Sequence, residues 1–145
     1  MTSEEAAEEV QLINGEFYRA IESLDLAEME KFWAKEPYVS CVHPGWGLLI
    51  GWEAVRSSWE AIFRNTVEIR FTITDVEVKV QGALAWVTCT EDILSETRGN
   101  IGVTSVLTTN IFERRGGRWL MVHHHASHVF SDRAEPELPE TTEFT

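Results

Sequence analysis

The chain has 145 residues, 43% of them apolar and six of them Trp, which suits one compact domain with its own core and excludes a disordered protein. The formal net charge of −12 is concentrated at the ends: residues 1–16 hold five Glu without Lys or Arg, and residues 131–145 hold five acidic residues against one Arg. Since no basic stretch suits nucleic acid, no apolar run approaches the roughly 20 residues of a membrane helix, and no secretory signal begins the chain, we expect a soluble cytoplasmic protein.

The first half of the chain predicts three helices and one short strand. Apolar residues at three- and four-residue spacing predict a long amphipathic helix that opens at Ser3 and runs to about Leu24. Asp25 then caps a second helix over 26–33, which Pro37 ends. A short strand over 38–42 leads into a loop, and helical spacing returns over 52–65.

The second half predicts a meander of long antiparallel strands over 67–80, 83–96, 101–114 and 118–128, joined by turns that contain Gly. The alternation of the first of these strands changes phase near Thr74 and Asp75, which predicts a bulge. The fold class is therefore α+β, with N-terminal helices on one face of a strongly curved antiparallel or mixed sheet. We expect a single domain over 1–145, with its core at about 5–130 and a flexible acidic tail over 131–145.

The last predicted strand carries four of the five histidines. Regular alternation would place Trp119, Met121, His123, His125 and Ser127 on one side, and His124 and His128 on the other. At most two imidazoles of the His123–His125 triplet can then face one cavity.

The two cysteines stand alone in apolar, strand-like surroundings, so we interpret Cys41 and Cys89 as reduced core residues. The alternative is a Cys41 nucleophile beside His43, two residues along the same strand face.

Three motifs occur in a fixed order along the chain: Cys41-Val42-His43-Pro44-Gly45-Trp46, Gly51-Trp52-Glu53-Ala54-Val55, and Arg118-Trp119 followed by His123, His125 and Ser127. This order resembles the SnoaL-like family of the nuclear transport factor 2-like superfamily over about residues 5–130. Related branches are the ketosteroid isomerase-like proteins and the association domain of the calcium/calmodulin-dependent kinase. The resemblance implies a cone-shaped domain with one enclosed pocket, and a homodimer through the opposite face of the sheet.

The resemblance to the isomerase branch suggests catalytic residues, with one departure. That branch carries an acidic base just before a proline at the end of the first strand, and here His43 precedes Pro44. A neutral imidazole with a pKa near 6.5 is a competent proton acceptor around neutral pH. We therefore predict His43 as the base and Tyr18 as a hydrogen-bond donor, with Asn110 or Thr88 orienting the substrate. The plainer alternatives are a histidine that closes the strand and a tyrosine in the core.

The kinase branch has histidines matching His123 and His125, but carries arginines where this chain has Thr88 and Asn110. The implied pocket is therefore apolar with uncharged hydrogen-bonding groups, which suits a neutral or weakly polar small organic molecule. We predict that the ligand-binding residues are Trp46, Trp59, Phe63, Trp86, Thr88, Thr108, Asn110, His123 and His125. For each aromatic residue, ordinary core packing is the alternative.

Three hypotheses for the function remain open. The first is an enzyme of the isomerase, lyase or hydrolase type that acts by histidine-mediated proton transfer; the second is a non-catalytic binding domain; the third is a homo-oligomeric assembly unit. A zinc site built from His43, His123 and His125 is a rival interpretation of the histidines. No acidic residue accompanies these histidines, so we expect neither a metal nor a cofactor.

Overall fold

The computed structural model describes residues 1–130, and the predicted acidic tail over 131–145 lies outside the described residues. Within residues 1–130, three helices and six strands follow one another. The helices are α1 (Ser3–Ser23), α2 (Leu26–Glu30) and α3 (Trp52–Arg64), and the strands are β1 (Ser40–Val42), β2 (Leu49–Ile50), β3 (Glu68–Gln81), β4 (Leu84–Thr97), β5 (Asn100–Arg115) and β6 (Arg118–His128). None of the described helices is both long and apolar enough to cross a membrane.

The ends of the first two helices have clear local causes. Helix α1 begins with a capping box in which the Glu5 amide donates to Thr2 Oγ1 at 3.0 Å and the Thr2 amide donates to Glu5 Oε1 at 2.9 Å. Helix α2 is shorter than the predicted 26–33, because the backbone beyond it bonds to β6 instead. The Met121 amide donates to the Phe32 carbonyl, and the Ala34 amide donates to the Met121 carbonyl. The chain therefore leaves the helix to run beside β6.

The six strands form one mixed sheet in the order β2-β1-β6-β5-β4-β3. Strand β1 is parallel to β6, and every other neighbouring pair is antiparallel. Helix α1 packs against β3 and β4, so one face of the sheet, the inner face, is covered. The helices on one sheet face confirm the predicted α+β class, while the two-residue strand β2 lies where the sequence predicted only a loop.

Two bulges interrupt the long strands. The first falls between Thr74 and Glu77 of β3, where Asp75 has a positive φ of 54°, and confirms the predicted bulge. The second lies in β6: Phe112 pairs with Met121 and Ile111 with His123, which leaves Val122 as an extra residue. This second bulge was not predicted.

The β6 bulge reverses the facing of the histidines. Trp119 and Met121 are buried on the inner face before the bulge, and His124 and Ala126 are buried after it. The prediction that His123, His125 and Ser127 share a face with Trp119 is therefore wrong, and His124 points inward instead of away. One extra residue in a strand shifts every later side chain to the opposite face.

The register between β4 and β5 corrects a second facing prediction. Thr108 lies opposite Cys89 and Asn110 opposite Val87, and directly paired residues point to the same face. Trp86 and Thr88 therefore lie on the outer face and not beside Thr108 and Asn110. Alternation shows which residues of one strand share a face. It does not show which face of β4 lies on the same side of the sheet as which face of β5, so the sequence could not predict this pairing.

Candidate functional site

Eight polar side chains meet on the inner face, and each is at most 5% exposed. We call them the inner polar cluster: Asn14, Tyr18, His43, Ser58, Glu91, Thr108, Asn110 and His124. Helix α1 supplies two of them at a four-residue spacing, which places both on one helix face. The others come from α3, from β4, β5 and β6, and from the residue that follows β1.

Asn110 is the centre of the hydrogen bonding. Its Nδ2 donates to Asn14 Oδ1 at 2.9 Å and to Tyr18 Oη at 3.1 Å. Its Oδ1 lies 2.6 Å from His124 Nδ1 and, as an acceptor, requires the proton on that nitrogen. The Nε2 lone pair of His124 is therefore left for another partner.

Tyr18 and Glu91 form the acidic end of the cluster, where Tyr18 Oη donates to Glu91 Oε2 at 2.5 Å. Burial raises the pKa of Glu91, and the hydrogen bond from Tyr18 opposes that shift. Burial, and next the charge of Glu91, raise the pKa of Tyr18 well above its usual value. The Thr108 hydroxyl is near enough to favour the charged form of Glu91, but it forms no well-aligned hydrogen bond within the described chain.

His43 lies on the other side of the cluster, directly after β1. Its Nε2 is 2.8 Å from Ser58 Oγ, and Ser58 donates its own proton to the Val55 carbonyl at 2.6 Å. His43 must therefore donate from Nε2, which leaves Nδ1 as an acceptor with the weak thiol donor of Cys41 at 3.9 Å. Burial lowers the pKa of His43 to about 4, so the ring is neutral near neutral pH and a weaker base than the ordinary histidine expected from sequence.

The two imidazoles approach each other around one indole. The ring centres of His43 and His124 are 6.2 Å apart, and Trp59 lies 4.7 Å from the first and 5.8 Å from the second. Through His124, the three predicted catalytic residues His43, Tyr18 and Asn110 thus belong to one cluster. The packing closes this cluster to solvent in the present conformation.

The predicted ligand-binding residues divide between the two faces. Trp59, Phe63, Thr108 and Asn110 are buried on the inner face, and Trp46 packs on the edge of His43 at 4.9 Å from the loop after β1. The structure does not bring the others to this site, because they lie on the outer face: Trp86, Thr88, His123 and His125.

Four members of the cluster were missed in the sequence: Asn14, Ser58, Glu91 and His124. Glu91 interrupts the inward series Ala85, Val87, Cys89 and Ile93 with a carboxyl group, and this break in an apolar alternation was a readable signal. Asn14 likewise stands at an apolar position of the α1 pattern. His124 could not be found without the bulge that turns it inward.

Cys41 is buried, and the three histidines considered as zinc ligands lie on opposite faces of the sheet. Burial raises the pKa of the Cys41 thiol, so the thiol is neutral and the nucleophile alternative is unsupported, although Sγ lies 3.6 Å from His43 Nε2. The zinc site of three imidazoles is wrong, because His43 is on the inner face and His123 and His125 are on the outer face. Among residues 1–130, no group of three or more His, Cys, Asp or Glu is arranged to hold a metal ion.

Comparisons with known proteins agree with this architecture. The SnoaL-like domain profile matches residues 10–131. The F-box protein SKIP8 of Arabidopsis thaliana is 32% identical over 120 residues, which are 83% of this chain and 49% of that protein. The chain therefore spans about half the length of this relative.

Solved structures show the same fold. A candidate dehydratase of the NTF2-like family from Streptomyces avermitilis is 40% identical, with a TM-score of 0.84 over 90% of this chain and 100% of that one. A candidate calcium/calmodulin-dependent protein kinase type II association domain from Thiobacillus denitrificans is 29% identical, with a TM-score of 0.73 over 83% and 94% of the two chains. An NTF2-like protein from Salmonella enterica shares 15% identity and a TM-score of 0.83 over 94% and 100% of the two chains, a likeness of fold alone. The chain belongs to the SnoaL-like family of the nuclear transport factor 2-like superfamily.

Proposed function

We propose that this domain binds a small, neutral or weakly polar organic molecule at the inner polar cluster, and that His43 accepts a proton from it. The SnoaL-like fold is that of ligand-binding and enzyme-type domains. The observation that carries the proposal is the pair of buried neutral imidazoles near the bonded Tyr18 and Asn110. Within the described chain, each imidazole keeps one ring nitrogen without a strong hydrogen-bond donor.

Two unpaired polar groups support a ligand site, one beside these imidazoles and one near Glu91 at the acidic end of the cluster. Trp59 Nε1 and Thr108 Oγ1 are buried and lack a hydrogen-bond partner within the described part of the chain. An unsatisfied buried polar group costs about 1–3 kcal/mol, so a packing role alone does not explain why both are kept. A ligand that carries a carbonyl or hydroxyl group could satisfy them.

The chemistry of the surroundings favours a neutral ligand. Apolar and aromatic side chains, including Phe17, Phe63 and Val106, are buried around the cluster. The cluster as defined contains no Lys or Arg, while Glu91 would repel an anion if ionised. An uncharged molecule with one or two polar groups suits these walls best.

The tautomer of His43 leaves Nδ1 as the nitrogen that would accept the proton. A base with a pKa of about 4 is weak when the site is empty. Negative charge that develops on the ligand as its proton leaves would stabilise the imidazolium, and the unpaired Trp59 Nε1 can donate toward that charge. The candidate dehydratase from Streptomyces avermitilis supports this type of chemistry, since dehydration also removes a proton from carbon.

Entry to the closed cluster requires movement of its cover. The loop between β1 and β2 carries Trp46, which is partly solvent-exposed and packs against His43. We propose this loop as the mouth, because its displacement uncovers His43 without disturbing the paired strands.

Thr108→Val tests the ligand site directly. If the hydroxyl serves a ligand, its removal relieves an unsatisfied group, so the free protein should be as stable as the original or more stable while ligand affinity falls. The measurements are urea unfolding and calorimetric titration with a panel of neutral aromatic alcohols and ketones that begins with 2-naphthol. Thr109→Val, one residue along β5 on the outer face, is the matched control and should leave affinity unchanged.

Loss of stability in Thr108→Val, with binding intact or with no panel member bound by the original protein, would contradict the ligand role. For members of the panel that do bind, exchange of their carbon-bound hydrogens in D₂O separates an enzyme from a binder. The proposal expects exchange that His43→Asn abolishes while affinity is retained. Binding without exchange would assign the domain a carrier role and overturn the catalytic part.

A second candidate is self-association through the outer face of the sheet. Four apolar side chains of β4 and β5 are 48 to 80% exposed on that face: Leu94, Ile101, Val103 and Leu107. An exposed apolar patch of this kind is typical of a surface that contacts another protein molecule. We propose a homodimer formed through this face.

A further inference from the structure

The β6 bulge places two histidines side by side on the outer face of the sheet. His123 and His125 have ring centres 5.6 Å apart with their planes at 71°, and they lie opposite Ile111 and Thr109 of β5. Neither ring belongs to the inner polar cluster, and the proposed function does not use them.

The separation of the two rings fits a shared metal ion. Zinc binds imidazole nitrogen at about 2.0–2.1 Å, so two imidazoles on one tetrahedral ion have ring centres roughly 5 Å apart. The observed 5.6 Å is close to that distance. Alternate residues on one strand face provide this spacing without backbone strain.

A neighbouring strand already fixes one of the rings. Ser40 Oγ of β1 lies 2.6 Å from His123 Nδ1, which leaves Nε2 as the ring nitrogen without a partner among the described side chains. Metal-binding histidines usually have their second nitrogen held in this way, which sets both tautomer and orientation.

We propose that His123 and His125 chelate one divalent transition-metal ion of the imidazole-preferring class, such as zinc, on the outer face. The two imidazoles supply half of a tetrahedral set, and water takes the remaining positions in a single chain. Ser40 is a positioning residue that acts through His123.

Calorimetric titration of the full chain, free of any affinity tag, with zinc chloride tests the site. We expect one ion per chain, loss of binding in His123→Ala and His125→Ala, and a decrease in affinity of about tenfold in Ser40→Ala. The matched control is His128→Ala, because His128 is an exposed histidine of the same strand that contacts Thr104 instead. Circular dichroism checks that each variant is folded.

A stoichiometry of one ion per two chains would also support the chelate and show that a second copy completes the coordination. Copper(II) gives an independent readout, since its electron paramagnetic resonance spectrum should show two coupled imidazole nitrogens that His125→Ala reduces to one. Zinc affinity that survives in both His123→Ala and His125→Ala, or that is lost in His128→Ala instead, would overturn the assignment.

Discussion

Tyr18 and Tyr38 donate the same kind of hydrogen bond in opposite surroundings. Tyr18 donates to buried Glu91, whereas Tyr38 donates at 2.6 Å to Glu113 on the surface. We expect Tyr18→Phe to lower the free energy of unfolding by about 1–3 kcal/mol, because a buried carboxyl group loses its partner. Tyr38→Phe should stay within about 0.5 kcal/mol. Urea unfolding of the two variants makes the comparison, and equal losses would contradict the buried pair.

His43 should make the stability of the protein depend on pH. Its pKa is about 4 in the folded chain and about 6.5 when unfolded, so the unfolded chain binds the extra proton between these values. Stability is fully present above about pH 6.5 and is lost toward pH 4, by up to about 3 kcal/mol from this residue.

The unfolding free energies of the original protein and His43→Asn, measured across that pH range, isolate the contribution of His43. As the pH falls, the original protein should lose free energy of unfolding relative to His43→Asn. Glu91 and His124 remain in both proteins, so their own titration largely cancels. A difference that is flat between pH 6.5 and pH 4 would mean that His43 is not buried as a neutral ring.

At the scale of elements, the β6 bulge decides which histidine supports the core. His124→Ala removes a buried ring and leaves Asn110 Oδ1 without its donor, so we expect a loss of about 2–4 kcal/mol. His125→Ala, on the exposed face, should cost no more than about 0.5 kcal/mol. Thermal unfolding measures both variants. A larger loss in His125→Ala than in His124→Ala would contradict the bulge and support the regular alternation that the sequence predicted.

The long elements were predictable because their patterns repeat over many residues. Helices α1 and α3 and strands β3 to β6 lie within a residue or two of their predicted bounds, and the bulge of β3 was visible as a change of phase. The bulge of β6 left no such signal, since Leu120 and Val122 are as apolar as the inward-facing Met121. Strand β2 is too short to form a pattern.

The candidate site was only partly predictable for the same reason. Tyr18, His43 and Asn110 were predicted from the resemblance to related branches of the superfamily and do share one cluster. The residue that joins them, His124, depends on the bulge. Because of the register between β4 and β5, Trp86 and Thr88 lie on the outer face. Pairing between strands is a tertiary property that no single-strand pattern contains.

At the scale of the whole molecule, the exposed apolar patch of the outer face predicts a dimer. Leu107→Asp places a charge in that patch and should give a monomer, while the original chain elutes as a dimer in size-exclusion chromatography with light scattering. Leu12→Asp is the matched control, because Leu12 is at least as exposed as Leu107 but lies on α1. A monomeric original protein, or a dimer that survives Leu107→Asp, would exclude this interface.

The inner polar cluster as a ligand site is the central claim, and long-range ¹H–¹⁵N spectra of the histidine rings test it most directly. At neutral pH we predict two neutral rings of opposite tautomer, His43 protonated on Nε2 and His124 on Nδ1. Adding the bound members of the alcohol and ketone panel should shift these two rings and leave His123, His125 and His128 unchanged. Charged inner rings, or a panel that shifts only the outer histidines or none at all, would contradict the account.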